Sequence, residues 1–269
     1  MTPSKDIVII IKSAGEKASA AAHRLYQHGF RKILMTDIPC PLAERREVCF
    51  CEALVDGRKV VAGVPSRKAS DRVDRIERIW ADQEIAVLPD PELRIMGSLR
   101  PDCFVDAVMA KKNTGTSIDL APLVIALGPG FKAGRDAHVV LETSPGSRSL
   151  GRLITEGTAH ENNGIPTSVS GLTTERIIRA SENGILLTLK NIGDLVEKDE
   201  IIARAGDSPV RANISGVIWG IVRDGVEVHK GQKIGDIDPR GEKRFCFEIA
   251  PQAKTVADGV IEAVLKFLP

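Results

Sequence analysis

Ile7-Val8-Ile9-Ile10-Ile11 is an unbroken apolar run, and a continuous run predicts a strand buried on both faces, as in a helix-covered parallel sheet. Past the turn Lys12-Ser13-Ala14-Gly15, an alanine-rich stretch places Ala18, Ala21, Ala22 and Leu25 on one helical stripe reaching about Gln27. Gly29 suits the stop of that helix. Arg31 to Thr36 predicts a second strand, ending at Asp37, which completes a βαβ unit. Arg45 to Val61 reads as a strand pair or an excursion around Asp56-Gly57. Lys68 to Trp80 reads as an amphipathic helix with Val73, Ile76, Ile79 and Trp80 on one side. Short strands follow over Glu84 to Leu88, Phe104 to Met109, Leu123 to Leu127 and Ala137 to Thr143. These elements predict an open, mostly parallel α/β sheet.

From Gly184 the texture changes to short β segments punctuated by glycine. A shift of 32 residues superimposes Gly184 on Gly216, Gly193 on Gly225, Val196 on Val228, Lys198 on Lys230 and Ile202 on Ile234. Two such halves are the pattern of a barrel-sandwich hybrid, the fold of biotinyl and lipoyl carriers. Those carriers are modified on a lysine in the joining hairpin, and here that turn reads Ala205-Gly206-Asp207-Ser208-Pro209. Neither biotin nor lipoate is therefore expected. Near the end, Val256, Val260, Val264 and Phe267 recur at helical spacing. The expected architecture is a Rossmann-like domain over residues 1–180 with a C-terminal helix (253–268) packing back on it. An all-β barrel-sandwich hybrid module (181–240) would be the insertion.

Composition narrows the function classes. Lys+Arg number 37 and Asp+Glu 36, with 27% charged and 43% hydrophobic residues, which are globular values. The balance argues against a nucleic-acid partner, and 4% aromatics disfavour base stacking. No apolar run approaches the roughly 18 residues that span a bilayer, and MTPSKD lacks a signal-peptide layout. The five cysteines are an odd number in a chain long enough to fold unstapled, so reduced thiols in a cytoplasm are expected. Cys49 and Cys51 have no partners at zinc-like spacing.

Two constellations could carry chemistry. The first follows the first strand, where a dinucleotide fingerprint would place glycines; Ser13, Gly15 and Ala18 occupy those positions, and Asp37 ends the second strand as a ribose-binding acid would. The second is a trio of loops after buried strands. Lys111, Lys112 and Asn113 lie in one, and Gly128-Pro129-Gly130-Phe131 in the next, offering charge and exposed backbone for an anion. Arg45 and Arg46 add further charge to this candidate phosphate or pterin pocket. In the third loop region Asp136, His138 and Glu142 could share one strand face, but no second histidine is near and no metal is expected. No nucleophile elbow or triad order is present.

Distinctive runs extend over nearly the whole chain: VIIIKSAGEKAS, MTDIPCPLAERREVCFCEALVDG, DAVMAKKN, VIALGPGFKAGRDAHVVLET, NNGIP, ISGVIWGI and KIGDIDPRG. In these the chain resembles the YqeB-like proteins of the selenium-dependent molybdenum hydroxylase system. The resemblance implies an accessory role in maturing such hydroxylases. The matching positions are Gly15, Asp37, Arg45, Arg46, Lys111, Lys112, Asn113, Gly128, Gly130, Asp136, Glu142, Pro239 and Arg240. The family's GAGD loop is altered here to Ser13 and Glu16 at its ends, and Ala250-Pro251-Gln252-Ala253 replaces its S-D-K-A run.

The favoured expectation is a cytoplasmic accessory protein that binds a phosphorylated small molecule at the carboxyl edge of its sheet. The ligand would be a nucleotide or molybdopterin dinucleotide, and the partner a molybdenum hydroxylase or its maturation machinery. The alternatives are an NAD(P)-dependent oxidoreductase using the same loop, and a non-catalytic scaffold docking a hydroxylase subunit through the β module. Homo-oligomerisation stays open.

Overall fold

The computed structural model describes residues 4–161 and 164–268, so Asn162 and Asn163 of the NNGIP motif lie outside the described residues. The chain forms two compact units, one of residues 1–41, 50–163 and 249–269, the other of residues 42–49 and 164–248.

The first unit is built on one nine-stranded sheet. Its strands are β1 (Val8–Lys12), β2 (Lys32–Thr36), β3 (Arg58–Val61), β4 (Val64–Lys68), β5 (Ile85–Leu88), β6 (Cys103–Asp106), β7 (Leu123–Leu127), β9 (Val139–Leu141) and β10 (Leu153–Ile154). A separate two-stranded ribbon pairs β8 (Lys132–Ala133) with β11 (Gly157–Thr158). The spatial order is β10-β9-β7-β6-β1-β2-β5-β4-β3, and only the edge pairs β3/β4 and β9/β10 are antiparallel. Numbering β1, β2, β5, β6, β7 and β9 from 1 to 6 gives the order 3-2-1-4-5-6. The direction of winding therefore reverses between β1 and β6. Open sheets of this kind bind ligands where the winding reverses, outside the carboxyl ends of the strands.

The continuous apolar runs are explained by cover on both faces. Ile9, Ile10 and Ile11 are all fully buried. Ile10, Leu34, Ala86 and Phe104 join Ile76, Ile79 and Trp80 of α3 (Val73–Ala81) in one core, where the Trp80 indole donates to the Ile33 carbonyl at 2.8 Å. Helix α1 (Glu16–Gln27) and the C-terminal helix (Pro251–Phe267) pack on each other, and the latter lies against β7 and β9. The β6–β7 and β7–β9 connections contain no α-helix, and the C-terminal helix covers their strands instead. Its close approach depends on two glycines: a Cβ at Gly259 would meet the Gly151 carbonyl oxygen, and one at Gly151 would lie 2.5 Å from the Thr255 carbonyl oxygen. None of the described helices is long and apolar enough to cross a membrane.

Of the two readings of Arg45 to Val61 the excursion is the one formed, and α3 begins later than expected. Asp56-Gly57 is not a hairpin turn: Ala53–Asp56 is a short helix, α2, after two 3₁₀ turns, and Gly57 at φ 81° ends it. The hairpin comes one element later, between β3 and β4, where Ala62 (φ 45°) and Gly63 (φ 83°) supply the two positive φ values of a type I′ turn. Helix α3 also starts later than Lys68, because Lys68 is still a strand residue paired with Val87.

The second unit contains two four-stranded sheets, ordered β12-β19-β17-β14 and β16-β15-β13-β18. The strands are β12 (Ile177–Arg179), β13 (Gly184–Thr188), β14 (Leu195–Val196), β15 (Ile201–Ala205), β16 (Ser208–Arg211), β17 (Gly216–Ile221), β18 (Glu227–Val228) and β19 (Lys233–Asp238). Adding 32 to the first residues of β13, β14 and β15 gives those of β17, β18 and β19. The pairing follows the same rule: β13 pairs with β15 and β18, and β17 with β19 and β14. Each half thus lends its short middle strand to the other half's sheet. One core joins them, including Leu186, Val196, Ile202, Ile218, Val228 and Ile234. The five pairs of repeat identities include the two packed valines and Ile202/Ile234.

Candidate functional site

The carboxyl edge of the first unit's sheet gathers most of the sequence-derived candidates. At its centre the β1–α1 turn begins with Ser13, whose φ of 95° lies in the region that favours glycine. The conformation expected of the fingerprint's first glycine is therefore kept although the glycine is not. The Ser13 N–H donates to the Thr36 carbonyl at 2.7 Å, and its hydroxyl accepts from the Gly15 N–H at 3.1 Å. Gly15 itself has an ordinary φ of −72° and caps α1 without a side-chain bond, so α1 opens with first-turn N–H groups that have no intrahelical acceptor. Such a terminus favours an anion.

Asp37 staples this turn. Its Oδ2 accepts from the Ala14 N–H at 2.6 Å and its Oδ1 from the Ile38 N–H at 2.8 Å. Burial pushes the carboxyl above its ordinary value, against the bonds from Ala14, Ile38 and Ser13. Both oxygens are thus engaged by backbone, with lone pairs left to accept further bonds.

Beside the turn, at the winding reversal, stands a pair that sequence reasoning overlooked. Lys12 and Asp106 lie opposite each other where β1 and β6 end, with Nζ 3.8 Å from Oδ2, and both are buried. Lys12 Nζ also donates to the Thr114 carbonyl (3.0 Å) and hydroxyl (3.1 Å), while the Thr116 hydroxyl donates to Asp106 at 2.5 Å. The Thr36 hydroxyl, on the residue paired with Lys12, is buried with no hydrogen-bond partner. The signal lay in the sequence: each of these polar residues closes an otherwise apolar strand.

The loop after β6 then folds against the loop after β7. A Cβ on Gly130 (φ 100°) would come within 2.5 Å of the Lys112 Cα, and one on Gly128 (φ 83°) within 2.5 Å of the Thr143 hydroxyl. Lys111 takes a φ of 61°, and neither it nor Lys112 has an ion-pair or hydrogen-bond partner from its side chain among the described residues. Both are available cations of the loop after β6. Asn113 instead closes its own loop, accepting from the Gly115 and Thr116 N–H groups at 2.9 and 2.7 Å and donating to the Thr116 carbonyl at 2.8 Å. Asp136 accepts from both sides of the Arg135 guanidinium and from the Lys132 N–H, and the Arg135 bond, chiefly, holds its carboxyl below the ordinary value.

Glu142 follows β9 and is buried. Its Oε1 accepts from the Ser144 N–H at 2.7 Å, and its Oε2 from the His160 N–H at 2.9 Å and the His160 ring at 2.5 Å. Burial raises its pKa, but these bonds outweigh it and the carboxyl sits below its ordinary value. His138 turns away from this chemistry, its Nδ1 accepting from the Val124 N–H at 3.0 Å. Among the described residues no group of three His, Cys, Asp or Glu is placed to hold a metal ion.

Arg45 and Arg46 are placed elsewhere, in the second unit. The buried Arg45 guanidinium stacks on Trp219 at 3.8 Å and donates to the Phe245 and Glu248 carbonyls at 3.0 and 2.8 Å. Arg46 donates to the Ile221 carbonyl at 2.9 Å. Arg240, the family-matched position in the same unit, pairs with Asp238 at 2.5 Å and covers the Phe245 ring at 3.7 Å. Their visible bonds are those of a packed module.

No family model matches the chain. Among solved structures, an aspartoacylase family protein from Mesorhizobium loti aligns over 86% of this chain and 85% of its own, at 13% identity and a TM-score of 0.27. The product-bound ectoine utilization protein EutE (DoeB) from Ruegeria pomeroyi gives 86% and 85% coverage, 11% identity and a TM-score of 0.27. Among curated proteins, the chain is 40% identical over 266 residues to YqeB of Escherichia coli K12, a protein described as uncharacterized. The alignment takes in 99% of this chain and 49% of YqeB. The chain is thus similar along its whole length to YqeB, and spans about half the length of that relative.

Proposed function

We propose that the first unit binds a phosphorylated cofactor, a nucleotide or a molybdopterin dinucleotide, at the carboxyl edge of its sheet. The observation that carries this reading is the β1–α1 turn, in which Ser13 holds a glycine-like φ of 95° beside the open amino terminus of α1. Backbone N–H groups there would take phosphate, Lys111 and Lys112 would add charge, and Asp37 would meet a ribose through its remaining lone pairs. The similarity to YqeB supports placing the chain in a YqeB-like family. On the resemblance to that family rests the larger role: a cytoplasmic accessory in maturing a selenium-dependent molybdenum hydroxylase. In this reading the sheet unit is Rossmann-like, and the two-sheet unit is a barrel-sandwich hybrid that docks the hydroxylase or its maturation machinery.

The test is a thermal-shift panel on the whole chain with NAD, NADP, ATP, CTP and molybdopterin dinucleotides. Gly15→Ala is the test variant, because an added Cβ would stand in the phosphate approach yet meet only the Ser13 hydroxyl of the protein, at an ordinary 3.5 Å. Its stability should change by less than about 1 kcal/mol, a capping-scale effect. The expected result is a rise in Tm with a nucleotide or molybdopterin dinucleotide that Gly15→Ala abolishes. Stabilisation by NAD or NADP alone would favour an oxidoreductase. No response to any of them would remove the binding reading and leave a scaffold.

A further inference from the structure

Apart from the β1–α1 turn, the first unit has an open cleft of about 720 Å³ near the end of β9. It is walled by the loop Ser147–Arg152, by His160 and by one side of the C-terminal helix. Its most unusual feature is the carboxylate behind it. Glu142 is 1% exposed, whereas the His160 side chain it holds is 71% exposed. Two backbone N–H groups, those of Ser144 and His160, already satisfy the Glu142 oxygens. The third bond, to the His160 ring, is one that water could have supplied to an exposed imidazole. What the carboxylate adds is orientation. With Nδ1–H directed at Glu142, the ring is oriented and Nε2 is left without a protein partner, a donor when the ring is the imidazolium.

The charges around that ring are also uneven. Arg148 and Arg152 line the cleft, both exposed, and neither guanidinium has a hydrogen-bond or ion-pair partner among the described residues. Asp258 on the opposite wall is paired with Arg24 at 2.6 Å, which leaves Glu262 as the remaining acid of the lining. Planar guanidinium forks match the paired oxygens of phosphoryl and carboxylate groups. We propose that this cleft is a second ligand site, for a small oxyanion of the phosphoryl or carboxylate class. Arg148 and Arg152 bind the anion, and the His160 imidazolium, oriented through Nδ1–H by Glu142, donates its Nε2–H to it. This inference does not rest on the nucleotide reading, since none of these four residues belongs to the β1–α1 turn or its loops.

Isothermal titration of the whole chain with inorganic phosphate, and separately with citrate, tests it. Wild type should bind one of the two, and the tighter of them distinguishes phosphoryl from carboxylate chemistry. A charge-assisted bond is worth about tenfold in affinity, so Arg148→Gln/Arg152→Gln should weaken binding at least about tenfold, and His160→Gln by several-fold. Gly15→Ala should bind these probes as wild type does. Ring ¹⁵N NMR should show Nδ1 of His160 protonated, with its Nε2 resonance moving towards that of a protonated nitrogen as the anion is added. This measurement needs no variant, so it stands even where Glu142→Gln fails to fold. The site is refuted if neither anion binds, if the double arginine variant binds as wild type does, or if the Nε2 resonance stays still at saturation. Loss of probe binding in Gly15→Ala alone would assign the anion to the β1–α1 turn and overturn the second site.

Discussion

Ser13 offers a direct measure of how far the β1–α1 turn is shaped against local stability. At φ 95° an L residue bears about 1–2 kcal/mol of steric cost that glycine does not. The hydroxyl offsets part of it through its 3.1 Å bond from the Gly15 N–H, worth about 0.5–1.5 kcal/mol net. Its 3.5 Å approach to Asp37 adds little. Ser13→Gly would remove the steric cost, lose the bond, and release about 0.4–1 kcal/mol more entropy on unfolding. These terms nearly cancel, so the glycine variant should lie within about 1 kcal/mol of wild type. Ser13→Ala keeps the strain and loses the bond, a loss of about 1 kcal/mol. Ser13→Val adds a β-branch to a left-handed position and should lose about 2 kcal/mol or more. Urea unfolding, followed through the buried Trp80, reads this series. The expected order is Gly and Ser together, then Ala, then Val. If Ala matches Gly and Val is tolerated, the turn does not hold a positive φ at Ser13, and the principal argument for a phosphate turn fails with it.

Other substitutions report on separate parts of the structure. Gly259→Ala should gain about 1 kcal/mol of helix propensity, yet its Cβ would press on the Gly151 carbonyl; overpacking of about 1–3 kcal/mol should win and lower Tm, and a raised Tm would contradict the close approach of the C-terminal helix. Glu142 is held below its ordinary value of 4.5, burial opposing and the His160 and Ser144 bonds prevailing. Its ionised form therefore adds stability above that value, lost as pH falls through the folded pKa, so the deficit of Glu142→Gln at pH 7 should shrink on acidification. A pH-independent deficit, measured by urea titration across that range, would show that the charge is not what the His160 bond relies on.

The strands and the parallel sheet were legible because burial on both faces leaves a continuous apolar run, and Leu123–Leu127 emerges with the bounds its sequence suggests. The excursion after β2 was legible only as one of two readings, the other a strand pair. Phe50, Cys51 and Leu54 look like a strand by composition, but they are buried through 3₁₀ and helical turns whose choice depends on what they pack against. The glycine-rich edge was legible as a cluster, since a left-handed φ at Gly128 and Gly130 explains their identity. Which polar groups would be consumed by the loops was not. Asn113, Asp136 and Asp37 read as ligand contacts, yet each is bonded to nearby backbone, a role local sequence does not separate from binding. Arg45 reads as a free cation and is spent on Trp219, 174 positions later, a contact visible only in the folded unit.

Backbone strain in the first unit is confined in a way that points to one edge. Among the described residues of that unit, the non-glycine residues with positive φ are Ser13, Ala62, Gln83, Leu93, Met109 and Lys111. Ala62 serves a hairpin turn and Gln83 ends α3, donating to the Trp80 carbonyl, and both precede strands. The other four follow β1, β5 or β6, at the carboxyl edge. At about 1–2 kcal/mol each they amount to roughly 4–8 kcal/mol, a large share of the 5–15 kcal/mol by which domains are stable. Strain retained on that scale at one edge is expected where a ligand, not stability, shapes the backbone. Lys111 tests this, because its side chain is exposed and unpartnered, so in the unliganded protein Lys111→Gly removes little but strain, while it also removes a charge proposed to meet the phosphate. Relief of about 1–2 kcal/mol against about 0.4–1 kcal/mol of added chain entropy should leave the variant slightly more stable than wild type. Its thermal response to the stabilising nucleotide should at the same time diminish. A variant that gains stability and keeps the full response would show that the strained loop after β6 has no part in binding.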